Sequence, residues 1–161
     1  MHMNHDDLLN SVPPMTVTTT LAWSAIIEVG ERQNLGQSPA GQRFLVPILG
    51  GNFYGGPEFK NFHGKVLPGG ADRQILRSDG VKELDALYEM EADNGDIITI
   101  RNQVLVDQNG LDERYAMSAI KVMAASTEFN WLNRRLIIGT LQSARPKLNA
   151  VIVRGWIADQ K

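Results

Sequence analysis

The chain has 161 residues, with 16 basic and 18 acidic side chains, a formal charge of -2, 15 glycines and no cysteine. Without cysteine there is no disulfide scaffold and no thiolate metal site, and a pI near 5.9 supplies no bulk attraction to DNA or to an anionic membrane. The length fits one domain whose core is large enough to enclose a pocket.

The chain opens Met1-His2-Met3-Asn4-His5-Asp6-Asp7, and Leu8-Leu9 is the only apolar pair before Asn10. An export signal needs a basic start and roughly 7–15 apolar residues, which this segment lacks. No run approaches the roughly 18 apolar residues of a membrane span. A cytoplasmic protein without membrane contact is the expectation. Pro13-Pro14 closes the segment, so residues 1–15 are expected to form a flexible arm, or to dock on a partner subunit, ahead of one domain over residues 16–161. Two His in such a tail do not make a metal site, and no metal or other cofactor is expected.

Residues 16–29 begin Thr-Val-Thr-Thr-Thr-Leu and are rich in β-branched types, which points to a strand. Residues 43–49 form another apolar run that ends at Gly50-Gly51, and residues 57–67 are a further strand candidate closed by Pro68-Gly69-Gly70. Three turn dipeptides follow at fifteen-residue spacing: Asp79-Gly80, Asn94-Gly95 and Asn109-Gly110. Such pairs accept the positive φ of tight hairpin turns. Between the turns, Leu84, Ala86, Tyr88, Met90 and Ala92 alternate with Asp85, Leu87, Glu89 and Glu91. In the next segment Ile98, Ile100, Val104 and Val106 share a face interrupted by Asn102, and Thr99, Arg101 and Gln103 share the other. Period two marks strands with one apolar face, here in an antiparallel meander.

Residues 114–126 fit a helix or a strand, and the context favours a strand after Met117, with a short turn of helix around residues 128–133. The apolar runs Leu136-Ile137-Ile138 and Val151-Ile152-Val153 read as a last hairpin buried on both faces. About 8–10 long strands leave room for little else. The expected fold is all-β, a closed antiparallel barrel with no free edges, with a β-sandwich as the alternative.

Several motifs carry a family likeness. They are residues 41–56, Gly-Gln-Arg-Phe-Leu-Val-Pro-Ile-Leu-Gly-Gly-Asn-Phe-Tyr-Gly-Gly; residues 64–72, Gly-Lys-Val-Leu-Pro-Gly-Gly-Ala-Asp; Ser78-Asp79-Gly80; Leu84-Asp85-Ala86-Leu87-Tyr88; and Trp131-Leu132-Asn133. Their order and spacing resemble domain-of-unknown-function family 3237, small bacterial and fungal proteins, over roughly residues 17–159. The resemblance implies a closed β-barrel, in outline like lipocalins and allene oxide cyclase, and implies no particular reaction. Two positions depart from the family pattern: Arg73 stands where Trp is usual after Gly-Gly-Ala-Asp, and Leu87 stands where Arg is common.

Candidate site residues follow from side-chain chemistry. Asp72, after Gly69-Gly70-Ala71, and Glu89 could each act as a general base, although an Asp beside a Gly-Gly turn also fixes loops by bonding backbone N–H groups. Arg43 and Arg101 lie on strands among apolar residues, where a buried guanidinium must pair with a carboxylate or hold an anion; their alternative is a face that meets water. Tyr88 and Trp131 combine an apolar body with a polar tip, and Asn133 can donate and accept, so the three suit an organic ligand. Equally, Trp131 could plug a barrel end and Asn133 could cap adjacent backbone. No phosphate-binding loop, dinucleotide fingerprint or nucleophile elbow is present, and the basic residues are not striped with aromatics, so no nucleic-acid partner is expected.

Three functions remain open at this level. The first is a binding barrel for a small organic molecule, an apolar or aromatic carboxylate or ketone. The second is a cofactor-free isomerase, cyclase or lyase that works by carboxylate acid/base chemistry. The third is a structural or assembly protein without a pocket. The sequence leaves open whether the protein is an enzyme. A homodimer is expected from the arm and the sheet surfaces.

Overall fold

The computed structural model describes residues 2–108, 110 and 113–161. Ten strands follow a short helix α1 (His5–Ser11): β1 Val17–Val29, β2 Gln33–Ser38, β3 Gly41–Gly55, β4 His63–Val66, β5 Ala71–Leu76, β6 Lys82–Ala92, β7 Ile97–Asp107, β8 Tyr115–Ala124, β9 Leu136–Ser143 and β10 Ala150–Gln160. All pairings are antiparallel. Along one side of β3, β1 pairs from Trp23↔Gly55 to Val29↔Ile48 and β2 continues from Gln33↔Leu45 to Ser38↔Gly41. Along the other side, β4 and β5 divide the same length of β3 between them. The ten strands therefore occupy eight barrel positions, and the β1–β3 ladder closes the ring. Closure leaves no sheet edge around the ring, which decides for the barrel over the sandwich.

The sequence explains the strands locally. Buried residues on β6 and β7 fall on the even numbers, Leu84, Tyr88, Met90 and Ala92, then Ile98, Ile100, Asn102 and Val104. A strand sends alternate side chains to opposite faces, so one face lines the interior and the other meets water. Gly80, Gly95 and Gly110 adopt φ of 84°, 92° and 65°, as the turn dipeptides require; Asn109 lies outside the described residues. The ambiguous segment after Arg114 is strand β8, and a 3₁₀ helix follows at Asn130–Arg134.

Two expectations need revision. Residues 57–67 form strand only over His63–Val66, because the preceding stretch turns inward and buries Phe62. The last hairpin is not buried on both faces: Leu136 is 80% exposed and Ile138 is half-buried, since a barrel has a single interior. Residues 5–11 are helical, with the Asn4 side chain accepting from the Asp6 N–H and two acids in the first turn, a favourable N-terminus. Residues 2–17 are all exposed. Among the described residues no helix is long and apolar enough to cross a membrane.

The two barrel ends differ. At the end where β3, β6 and β8 finish, aromatic rings fill the interior. Phe59 stacks on Trp131 at 4.6 Å between centroids, and Phe62 meets Phe53 at 4.8 Å, Phe129 at 4.9 Å and Trp23 at 5.9 Å. Trp23 lies so close over Gly155 that a Cβ there would stand 2.6 Å from the indole, so glycine is the residue that fits.

Candidate functional site

A cavity of about 740 Å³ occupies the other half of the barrel, a size ordinary for small-molecule sites. Its apolar wall includes Ile27, Val46, Ile48, Leu84, Val104 and Val153. Four of its polar groups, Asp72, Gln74, Tyr88 and Asn102, come from three adjacent strands. The pairings Asp72↔Ala86 and Ala86↔Asn102 put Asp72 of β5 and Asn102 of β7 at one level, with the small Ala86 of β6 between them. Tyr88 and Gln74 line the same cavity, each two residues from that level along its strand.

Five buried side-chain polar atoms among the described residues have no hydrogen-bond partner: Trp23 Nε1, Asp72 Oδ1, Gln74 Oε1, Tyr88 Oη and Asn102 Oδ1. Four of them belong to residues that line this cavity. Buried polar atoms are normally satisfied, and each orphan disfavours folding. Four of the five thus belong to residues of one interior surface. The other Asp72 oxygen, Oδ2, accepts from Gln74 Nε2 at 2.8 Å, which leaves Oδ1 available.

Burial pushes the Asp72 carboxyl up from its ordinary 3.8 to about 6, against the opposing influence of the Gln74 hydrogen bond. Removing a carboxylate from water disfavours its charged form. Burial, reinforced by the charge of Asp72, also raises the Tyr88 phenol above its usual value, so its O–H stays protonated and can donate. The site thus offers a carboxylate base that titrates near neutrality beside a neutral donor.

The mouth carries positive charge. Arg32, Lys82, Arg114 and Arg145 line the cavity, and Asp72 is the only carboxylate among the described lining residues. Arg32 lies 4.1 Å over the Phe44 ring. The ammonium of Lys82 is held below its ordinary value first by burial and then by repulsion from Arg32 and Arg114.

Of the residues singled out from sequence, Asp72 and Tyr88 meet in this cavity. The other five lie elsewhere. Glu89 accepts a hydrogen bond from Thr99 Oγ1. Arg101 grips Asp85 with Nε at 3.2 Å and Nη2 at 3.0 Å, on the outer face. Arg43 is exposed and donates from Nη2 to the Leu35 carbonyl at 2.8 Å. Trp131 stacks on Phe59 at the plugged end. Asn133 donates to the Ala124 carbonyl and accepts from the Ala124 N–H, both at 2.8 Å.

Sequence reasoning passed over Gln74, Lys82, Asn102, Arg114 and Arg32. Only Asn102 left a readable signal, as the one polar residue on the apolar face of β7. Among the described residues no three metal-ligating side chains converge.

Comparison with known proteins agrees with this architecture. A family model described as "Protein of unknown function (DUF3237)" matches residues 17–157. A UPF0311 protein of Rhodopseudomonas palustris (strain TIE-1) is 29% identical over 138 residues, which cover 78% of this chain and 88% of the relative. The crystal structure of a protein with unknown function from Clostridium acetobutylicum superposes with a TM-score of 0.78 at 27% identity, covering 89% of this chain and 98% of that one. A beta-barrel like protein from Acinetobacter baumannii gives a TM-score of 0.79 at 23% identity over 91% and 99% of the two chains, a likeness of fold.

Proposed function

The chain belongs to the DUF3237 family, and from the cavity of this member we propose a barrel that binds a small apolar or aromatic carbonyl compound and transfers a proton on it, with Asp72 as the base. The observation that carries the reading is the group of unpartnered polar atoms facing one cavity, with a free carboxylate oxygen among them.

Asp72 Oδ1 removes a proton from a carbon next to the ligand carbonyl. The electron pair of that C–H bond moves into an enolate, and Tyr88 O–H donates to the oxygen where negative charge gathers. Asp72, now protonated, returns the proton to a different carbon, to the oxygen formed when the enolate carbon adds to a second carbonyl of the ligand, or to the group that the enolate expels from its adjacent carbon. Isomerisation, cyclisation and elimination all share this first step. A value near 6 suits the base, which is mostly ionised at neutral pH yet basic enough to take a proton. Gln74 holds Oδ2 and so fixes which oxygen reacts.

The test uses 5-nitrobenzisoxazole, an aromatic probe that opens its ring when a base removes its one C–H proton beside nitrogen. The native protein should accelerate that opening with a rate that rises through about pH 6, as the Asp72 carboxyl ionises, and then levels. Asp72→Asn should lose at least about 100-fold of it, and Tyr88→Phe should retain more than Asp72→Asn does. A native rate equal to that of buffer, or an Asp72→Asn protein as fast as native, contradicts the proposal.

A further inference from the structure

The cationic mouth deepens that reading. Three elements deliver positive charge to one place: the β1–β2 connection brings Arg32, the first residue of β6 is Lys82, and Arg114 directly precedes β8. Arg145, from the β9–β10 connection, adds a fourth lining cation and donates to Asn149 Oδ1 at 2.8 Å. The whole chain is slightly acidic, with 18 acids against 16 bases, so this gathering is not a consequence of composition.

Among the described residues three contacts pair a basic side chain with a carboxylate: Arg77 with Asp79, Arg101 with Asp85 and His63 with Asp93. None of the four mouth cations takes part in an ion pair among the described residues. Like charges held together at a partly desolvated rim repel one another, and that repulsion adds to burial, the larger cause, in lowering the Lys82 ammonium. An anion placed among them relieves it and is bound by charge-assisted hydrogen bonds.

The charges are also segregated along the barrel axis. Asp72 sits level with Ala86, four residues along β6 from Lys82, a backbone separation of about 13 Å at roughly 3.3 Å per residue, which the long Lys82 side chain narrows enough for the two charges to attract. An anionic group near Asp72 would be repelled, whereas at the mouth it is attracted. A ligand with one acidic end is therefore oriented before any chemistry, acid outward and neutral end inward. The wall between is apolar, formed by Val46, Ile48, Val104 and Val153.

We propose that the ligand is a monocarboxylic acid with an apolar or aromatic body, its carboxylate held among Arg32, Lys82 and Arg114 and its opposite, uncharged end presented to Asp72 and Tyr88. The role given to the inner end rests on the proton-transfer reading; the recognition of the acid at the mouth does not.

The probes are 2-naphthoate and its uncharged counterpart 2-naphthamide, titrated against the native protein at pH 7.5 and followed by naphthalene fluorescence. The acid should bind at least about tenfold more tightly than the amide. The preference should fall to near unity in the Lys82→Met, Arg114→Met double variant and survive in Lys82→Arg. Inorganic phosphate, which offers charge without an apolar body, should fail to displace naphthoate at equal concentration.

Equal affinity for acid and amide, or no binding of either at millimolar concentration, overturns the inference in the native protein, whatever the variants do. Ready displacement by phosphate would also overturn it, in favour of a simple anion site. A native protein that prefers the acid but does not open 5-nitrobenzisoxazole keeps this inference and loses the proton-transfer reading. The reverse pattern does the opposite.

Discussion

The two ends of the barrel solve opposite problems with the same strands. At the plugged end Trp23, Phe53, Phe62 and Phe129 are nearly or wholly buried, and the loops outside them are stitched by hydrogen bonds such as Asn94 Nδ2 to Glu128 Oε2 at 3.0 Å and Thr127 Oγ1 to Asp96 Oδ2 at 2.5 Å. At the open end, polar atoms are left without protein partners and cations stand together. One end is built for stability, and on the proposed reading the other keeps interactions in reserve for a ligand. Sites of binding and catalysis commonly give up local stability in this way.

The sharpest way to break that contrast is to empty the plug. Phe62 is wholly buried and touches four other aromatic rings, so Phe62→Ala should destabilise the barrel by about 3–5 kcal/mol, measured by urea unfolding. A loss below about 1 kcal/mol would mean that the aromatic cluster does not hold that end closed.

The open end should respond with the opposite sign. Burial raises the Asp72 carboxyl from 3.8 to about 6, so the folded state holds that proton more tightly than the unfolded chain. The stability from this group is full below pH 3.8 and is lost as the pH rises through about 6. Asp72→Asn cannot ionise and should be more stable than the native protein at pH 8, by up to about 3 kcal/mol, with the difference vanishing near pH 4. Urea midpoints compared at the two pH values check this. A difference that is the same at both would show that Asp72 does not titrate as a desolvated group. Stabilisation together with lost proton transfer in one substitution would mark Asp72 as a functional residue retained at a cost to folding.

Most of the barrel was legible in the sequence because a closed sheet repeats one simple rule. Alternation on β6 and β7, the turn dipeptides and the β-branched runs all report which side faces inward. The same rule also separates the site candidates: Tyr88 and Glu89 are adjacent on one strand, so only one of them can point into the barrel, and the face that carries Leu84 and Met90 selects Tyr88. By the same parity Arg101 points outward and its neighbour Asn102 points inward. What alternation cannot convey is which residues from different strands share a level. Asp72, Ala86 and Asn102 are level only through ladder register, and register depends on every turn before it.

The mouth cations were hidden for another reason. Lys82 follows a turn, Arg32 lies in a connection, and Arg114 opens an ambiguous segment, all places where a charged residue usually signals nothing beyond exposure. Their meaning comes from convergence around the end of the barrel. Trp131 and Asn133 illustrate the reverse: an aromatic beside an amide resembles a ligand grip in sequence, and in the fold they belong to the plug.

The central claim is that the barrel interior holds a carboxylate desolvated enough to serve as a base near neutral pH. Its most direct test is a titration of the Asp72 side-chain carboxyl by carbon-13 NMR, assigned by comparison with Asp72→Asn. The account predicts a midpoint near 6. A midpoint near 4, the ordinary value for a solvated aspartate, would contradict it.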